Sequence, residues 1–312
     1  MKTGSANHDR ILDRARDWAG SPMALATVIE TWRSAPCPLG THMLVHADGR
    51  FVGSVSGGCV EGDVLHVASG VIAGGETALR HYGVADGAAW EVGLPCGGDI
   101  QVLVQPVSEA GFPSHLFDMI TAARREGRIL HIGTDLVTGQ SELIHSDQDA
   151  RFVNAYFPPR RLLIIGAVEI AAHLAAIATS QGLSVTLSDP RDRFLTVERF
   201  PGVVLDDRWP DEAVAAFAPD ERSCVVTLSH DPKIDDAALV AALASRVGYV
   251  AALGSKQSHI ARLARLASQG VHQSDLARIE GPAGIAINAI SAPEIALSIA
   301  AGMIRALNDG LR

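Results

Sequence analysis

The sequence predicts an α/β protein in two parts: a mixed α+β N-terminal domain and, behind it, a parallel-sheet domain. Three observations predict it. From Arg161 onward, almost continuously apolar runs of strand length alternate with stretches of helix length, as happens when helices cover both faces of a sheet. Ahead of that point, short β-branched runs are broken by Gly, Pro and an Asp-Gly turn and mixed with amphipathic stretches in no fixed order. The 312 residues, 47% hydrophobic and 20% charged, suffice for two cores. The break is placed at Pro158-Pro159, giving domains 1–157 and 158–312.

Taken in order, Arg10–Ala19 reads as a short helix with Ile11, Leu12, Ala15 and Trp18 on one face. Met23–Trp32 is a strand, followed by a Pro/Gly turn over Ser34–Gly40. Thr41–His46 and Arg50–Gly53 bracket Asp48-Gly49, the signature of a two-residue hairpin turn. A Gly/Ser loop, Ser54–Gly58, precedes a helix over Cys59–Ala73. Leu79–Gly83 and Ile100–Pro106 are strands on either side of a second glycine-rich loop, Gly93–Asp99. Pro113–Glu126 has helical spacing, and Arg128–Gly133, Ser141–His145 and Phe152–Phe157 read as strands. In the second part the strands are Arg161–Gly166, Ser184–Ser188, Gly202–Leu205, Cys224–Leu228 and Tyr249–Leu253. The helices between and after them are Val168–Gln181, Asp211–Phe217, Asp235–Arg246, Ser258–Ser268 and Ala292–Asn308, the last opened by the capping-box pair Ser291 and Glu294.

Charge and composition exclude several functions. A net charge of −9 and the lack of any basic run argue against nucleic acid or an anionic membrane as partner. No apolar stretch reaches membrane-spanning length and no secretory leader is evident, so a cytoplasmic location is expected. The four cysteines, Cys37, Cys59, Cys96 and Cys224, are then expected as thiols. No Cys-x-x-Cys or His spacing suggests structural zinc, and no Walker loop or Ser–His–Asp signature is present.

The most unusual segment is Gly53-Ser54-Val55-Ser56-Gly57-Gly58-Cys59-Val60-Glu61-Gly62. Glycines ahead of a helix expose successive N–H groups and make a nest for an anion. A cysteine at a helix start has a stabilised thiolate, which Glu61 nearby would oppose. Cys96-Gly97-Gly98 forms a second such loop, and the two thiols could meet on a soft ligand, sulfur or a thiolate-loving metal. Ser56, Gly57, Gly58, Cys59, Glu61, Cys96, Gly97 and Gly98 are therefore candidate binding residues, with Cys59 and Cys96 as candidate metal ligands.

The second part opens on a Rossmann-like strand and turn, Arg161-Leu162-Leu163-Ile164-Ile165-Gly166. Gly166 and Ala171 fill the first and third small-residue positions of a dinucleotide loop, but Val168 occupies the second and Glu169 puts a carboxylate where phosphate would come. Asp189 ends the next strand, where an acid would hold a ribose hydroxyl. Polar residues recur at the strand ends: Asp189 and Arg191; His230, Asp231 and Lys233; Gly254, Ser255 and Lys256. With Gly166, these are the candidate ligand residues of the second part, because open α/β sheets bind ligands beyond their strand carboxyl ends.

Together these segments resemble the XdhC/CoxI family of accessory proteins for molybdenum hydroxylases. The resemblance rests on Ser34-Ala35-Pro36 with Gly40, the Gly53–Gly62 loop and Gly93-Leu94-Pro95-Cys96-Gly97-Gly98. It continues through Asp189-Pro190-Arg191, Glu198-Arg199-Phe200-Pro201, Ser229-His230-Asp231-Pro232-Lys233 with Asp235-Asp236, Leu253-Gly254-Ser255-Lys256 and Pro293-Glu294-Ile295-Ala296. The resemblance implies an XdhC/CoxI-like first domain and a Rossmann-like second one. It implies a chaperone, rather than a turnover enzyme, that binds the molybdenum cofactor (molybdopterin or its dinucleotide form). Such proteins assist sulfuration with a cysteine desulfurase and insert the cofactor into a xanthine-dehydrogenase-type client; a homodimer is a further option. NAD(P) is not expected; an NAD(P)-dependent oxidoreductase and a ligand-free regulatory scaffold are the alternatives. The chain departs from the family at two places. The family's Gly-x-Gly-His turn reads Gly166-Ala167-Val168-Glu169, and its His before Pro-Ile-Gly is replaced in Glu280-Gly281-Pro282-Ala283-Gly284.

Overall fold

Alternation along single strands sets the layers of both halves. In the first strand, Met23 and Leu25 face one core while Ala24, Ala26 and Val28 face another, so a helix layer is required on each side. The computed structural model describes residues 5–33, 35, 37–83, 98–144 and 152–309, with the backbone alone for residues 5–7. By its contacts the chain divides into two compact units, Met1–Pro159 and Arg160–Arg312.

The first unit holds a five-stranded antiparallel sheet in the order β3-β2-β1-β5-β4. Its strands are β1 (Met23–Trp32), β2 (His42–His46), β3 (Phe51–Gly53), β4 (Ala78–Tyr82) and β5 (Asp99–Pro106). Helix α2 (Glu61–Gly74) packs Val64, Val67, Ala68 and Val71 on one face. Helices α1 (Ser5–Asp17) and α3 (His115–Arg125) cover the other, together with Leu130, Ile132 and Tyr156 of a three-stranded sheet ordered β7-β6-β8. That sheet comprises β6 (Leu130–Thr134), β7 (Ser141–Ile144) and β8 (Phe152–Tyr156). The core behind β2 contains a buried polar knot: His42 Nδ1 lies 2.9 Å from Thr27 Oγ1 and its Nε2 2.8 Å from Tyr156 Oη. The ring of His8 stands 4.9 Å from that of Tyr156.

The second unit is a six-stranded parallel sheet ordered β11-β10-β9-β12-β13-β14. The strands are β9 (Arg161–Ile165), β10 (Ser184–Ser188), β11 (Val204–Asp206), β12 (Ser223–Thr227), β13 (Tyr249–Ala252) and β14 (Ile279–Glu280). The order reverses between β9 and β12, which makes this the doubly wound, Rossmann-type arrangement. Leu162 and Ile164 of β9 face α4 (Glu169–Ser180) and α9 (Ala292–Asp309), while Leu163 and Ile165 face the layer of α5 (Pro210–Phe217), α6 (Pro232–Leu243) and α7 (Lys256–Ser268). Burying such a Leu or Ile contributes about 1.5–3 kcal/mol.

Helix starts differ most from the expectation. α2 begins at Glu61 rather than Cys59, α6 at Pro232 rather than Asp235, and α7 at Lys256 rather than Ser258. In α6 the reason is local: Asp231 is the N-cap, accepting from Lys233 N at 2.9 Å, and Pro232 takes the first helical position, where its missing N–H costs nothing. In α7 Ser255 caps by accepting from Ser258 N at 3.1 Å. The short helix α8 (Gln273–Leu276) and the two-residue β14 carry too little periodicity to be read from sequence. Glu294 accepts from Ser291 N at 3.0 Å, the backbone half of the expected capping box.

Candidate functional site

The strand registers bring five strand ends to one end of the first sheet. Thr27 of β1 lies opposite His42, where β2 begins, and Trp32 opposite Asp99, where β5 begins. Gly53 ends β3 opposite Met43, and Tyr82 ends β4 opposite Ile100. Trp32, His42, Gly53, Tyr82 and Asp99 therefore all lie at the same end of the sheet. Tyr82 Oη donates to Asp63 Oδ2 at 2.7 Å, tying the end of β4 to the first turn of α2. Cys96 and Gly97 lie outside the described residues; Gly98 is buried just before β5.

The Gly/Ser loop is a nest, as expected, but the protein fills it. Glu61 Oε1 accepts from Val55 N at 3.0 Å, Ser56 N at 2.9 Å and the Ser54 hydroxyl. Its Oε2 accepts from Ser56 Oγ at 2.6 Å, Gly58 N at 2.8 Å and Val60 N at 3.2 Å. Ser54 Oγ takes the Gly57 N–H at 2.8 Å and Ser56 Oγ the Cys59 N–H at 2.9 Å. The expectation that these amides await an outside anion is corrected: the anion is Glu61. These hydrogen bonds outweigh desolvation and hold the carboxyl at about 2, below its usual 4.5.

Burial divides this loop into a fixed floor and an open rim. Val55, Ser56 and Val60 are buried, whereas Gly57, Gly58 and Cys59 are exposed. Gly57 has φ +78° and Gly58 φ +119°, and no atom lies within 4 Å of a Cβ placed on either. The backbone conformation, rather than crowding, requires glycine there. Cys59 is a free, exposed thiol on this braced rim. Cys37, which the sequence left unassigned, is half-buried against the loop, its Sγ 3.9 Å from Ser54 O. Burial and the Glu61 charge push that thiol up. Cys224 is buried in β12, also with a raised pKa, as its place in an apolar strand implies.

In the second unit the candidate residues lie at the carboxyl ends of the parallel strands, with duties the sequence did not show. Gly166, φ +106°, lets the β9 turn press on the β12 turn: a Cβ there would come within 2.8 Å of Ser229 N. Asp189, wholly buried, accepts from Ala167 N at 2.8 Å through Oδ2 and from Arg191 N at 3.0 Å through Oδ1. Arg191 adds a two-pronged pair, Nε to Oδ1 at 2.8 Å and Nη2 to Oδ2 at 2.7 Å. Both oxygens are taken, and the carboxyl is held below its usual range by Arg191 and the two backbone donors against its burial. The expected ribose contact is therefore corrected to a brace for the Gly166 turn. Val168 packs half-buried against the core, and Glu169 is exposed in the first turn of α4.

His230 is exposed with φ +62°, Lys233 and Lys256 are exposed, and Asp231 and Ser255 are the helix caps described above. Sequence reasoning missed two residues beneath them. Asp235 is buried, accepts from Ser229 Oγ at 2.7 Å, and is pushed up by desolvation. Arg262 is 5% exposed and lies 3.9 Å from Asp235. The signal for Arg262 was its place seven residues after Ser255, on the same helix face. Glu280, at the family's His position, accepts from Tyr249 Oη at 2.9 Å, Gly284 N at 3.0 Å and Arg305 at 2.9 Å, and so ties β14 to α9. Among the described residues no group of three or more His, Cys, Asp or Glu is placed to hold a metal ion. Among them, too, no helix is long and apolar enough to cross a membrane.

A doubly wound domain joined to a mixed domain with a glycine–cysteine loop defines a narrow class. The profile of the XdhC Rossmann domain matches residues 162–303, and that of the XdhC and CoxI family residues 18–83. The chain belongs to the XdhC/CoxI family. It is 28% identical over 291 residues to the molybdenum cofactor insertion chaperone PaoD of Escherichia coli, covering 91% of this chain and 83% of that one. It is 25% identical to a probable xanthine dehydrogenase subunit from Bacillus subtilis, over 90% of this chain and 92% of that one. The fold matches a crystal structure of a xanthine dehydrogenase from Bacillus halodurans with a TM-score of 0.82, at 24% identity over 96% of each chain.

Proposed function

We propose that this chain is a carrier that binds the molybdenum cofactor and inserts it into a xanthine-dehydrogenase-type molybdenum hydroxylase. The observation that carries the reading is Cys59: a free, exposed thiol on a loop that Glu61 holds in shape without help from any ligand. Family membership and the likeness to an insertion chaperone support the same reading. When bound, the cargo supplies a soft molybdenum–dithiolene centre, to which a thiolate is a matched ligand. The residues present fit that half of the cargo, with Cys59 as donor and Cys96 as the proposed second donor. They do not fit its phosphate at the Gly57 nest, where Glu61 already occupies the donors. A cysteine desulfurase is the proposed partner for sulfuration of the held cargo.

The test is the pterin content of protein purified from a cofactor-producing host, read as fluorescence after oxidative release. Wild type should carry pterin, and Cys59→Ala should lower the load by about tenfold, the loss of one good ligand contact. Because Cys59 is exposed, the substitution should leave the unfolding midpoint unchanged. An equal load in both proteins would remove Cys59 from the site. Wild type free of pterin would end the carrier reading.

A further inference from the structure

We propose that the corner between β13 and α7 is a phosphate subsite, seating a phosphate monoester or pyrophosphate over the first turn of α7 and above the Arg262 guanidinium. Of Arg262, only Nη2 is satisfied, donating to Leu253 O at 2.7 Å. Nε and Nη1 are buried and have no partner, and the nearest carboxylate oxygen, on Asp235, lies 3.9 Å from Nη2. A buried guanidinium with unmade donors is the state that an arriving anion relieves. Its side chain runs back toward the helix start, as long side chains on helices do. It ends against Gly254, where a Cβ would lie 3.7 and 3.9 Å from its terminal nitrogens. His259 Nδ1, on the same helix face, is also buried without a partner.

The helix above is built to receive negative charge. α7 has 13 residues and no acid in its first turn. The other long helices of this unit all carry one there: Glu169 in α4, Asp211 in α5, Asp235 in α6 and Glu294 in α9. Lys256 stands at the start of α7 with the Ser255 and Ser258 hydroxyls beside it, 2.9 Å apart. A helix start offers unsatisfied N–H groups and a positive dipole end. Two cations and those amides match a dianion with several oxygens, which is phosphate chemistry. The place lies past the carboxyl end of a parallel strand, on the edge of an open α/β sheet that faces ligands. This deepens the carrier reading and rests on it for the owner of the phosphate.

The experiment is calorimetric titration of the full chain with inorganic pyrophosphate at fixed ionic strength. Wild type should bind saturably. Ser255→Asp keeps a capping oxygen but adds a charge at the helix start, so the fold should hold while pyrophosphate binding weakens by about tenfold or more. Ser255→Asn keeps the cap without the charge and should bind pyrophosphate more tightly than Ser255→Asp. Arg262→Met should also weaken binding, and if it fails to fold the Ser255 pair still decides. No saturable binding by wild type, or binding indifferent to Ser255→Asp, overturns the site. A nucleoside diphosphate run in parallel distinguishes the sources: tighter binding than pyrophosphate assigns the subsite to a dinucleotide form, equal binding to a pterin phosphate. Protein that binds pyrophosphate here yet carries no pterin overturns the carrier reading alone.

Discussion

A carboxylate surrounded by backbone and hydroxyl donors ties stability to pH, and Glu61 is such a group. Its pKa falls from 4.5 to about 2 on folding. The stabilisation is complete above pH 4.5 and is lost as pH drops toward 2. Glu61→Gln turns one acceptor oxygen into a donor facing donors and should cost about 3 kcal/mol in urea unfolding at neutral pH, with a flatter acid limb. Thiol chemistry gives a second check. Among the three described cysteines, Cys59 should be alkylated first in the folded protein, Cys37 far more slowly and Cys224 only on unfolding, read by peptide mass spectrometry. The glycines and serines of this loop made the nest legible in the sequence. Its occupant was not legible, because that depends on where α2 starts. A helix begun at Cys59 would carry Glu61 around its first turn; one begun at Glu61 leaves the carboxylate free to fold back over residues 55–60.

Elements were legible where periodicity was long and obscure where one polar residue decided an end. β10 and the apolar runs of β9, β12 and β13 lie where near-continuous hydrophobicity put them, since both sheet faces are covered. The strand-end clusters were read as ligand groups, yet Asp231 and Ser255 are helix caps and Asp189 is a turn brace. Capping and ligand binding use the same residue types at the same places, so composition alone cannot separate them. The β9–α4 turn yields a prediction at this scale. Gly166→Ala meets both a positive φ and the Ser229 backbone 2.8 Å away, and should destabilise the second unit by more than about 3 kcal/mol. Hydrogen exchange should show that loss of protection in β9, β10 and β12, with β1 and β5 unchanged.

The molecule is two units with separate cores, and they should respond differently to acid. In the first unit, burial beside Arg124 lowers the pKa of His8 from 6.5 to about 4, and its buried Nε2 has no partner. Burial also depresses His42, next to His8. The unfolded chain takes up these protons at about pH 6.5, while in the folded unit His42 is held neutral well below that and His8 resists its proton until about pH 4. Stability present above pH 6.5 is thus lost as pH falls through that window, by about 3 kcal/mol for His8 alone. Calorimetry of the full chain at pH 4.5 should resolve an early transition that hydrogen exchange assigns to β1, β2 and α3. His8→Phe should move that transition back toward its neutral-pH position. Persistence of a single transition at pH 4.5 would show that the two units unfold together.

The self-filled nest has one more consequence, for timing. Had the Gly53–Gly62 segment needed a phosphate to hold its shape, ligand binding would have been part of folding, and the empty protein would have been short-lived. With Glu61 seated, the chain itself supplies the acceptor that this segment's amides need. On the proposed carrier reading, protein and cargo can then be made at different times. On that reading an idle pool can persist, and unloading leaves the Gly53–Gly62 segment intact for another round.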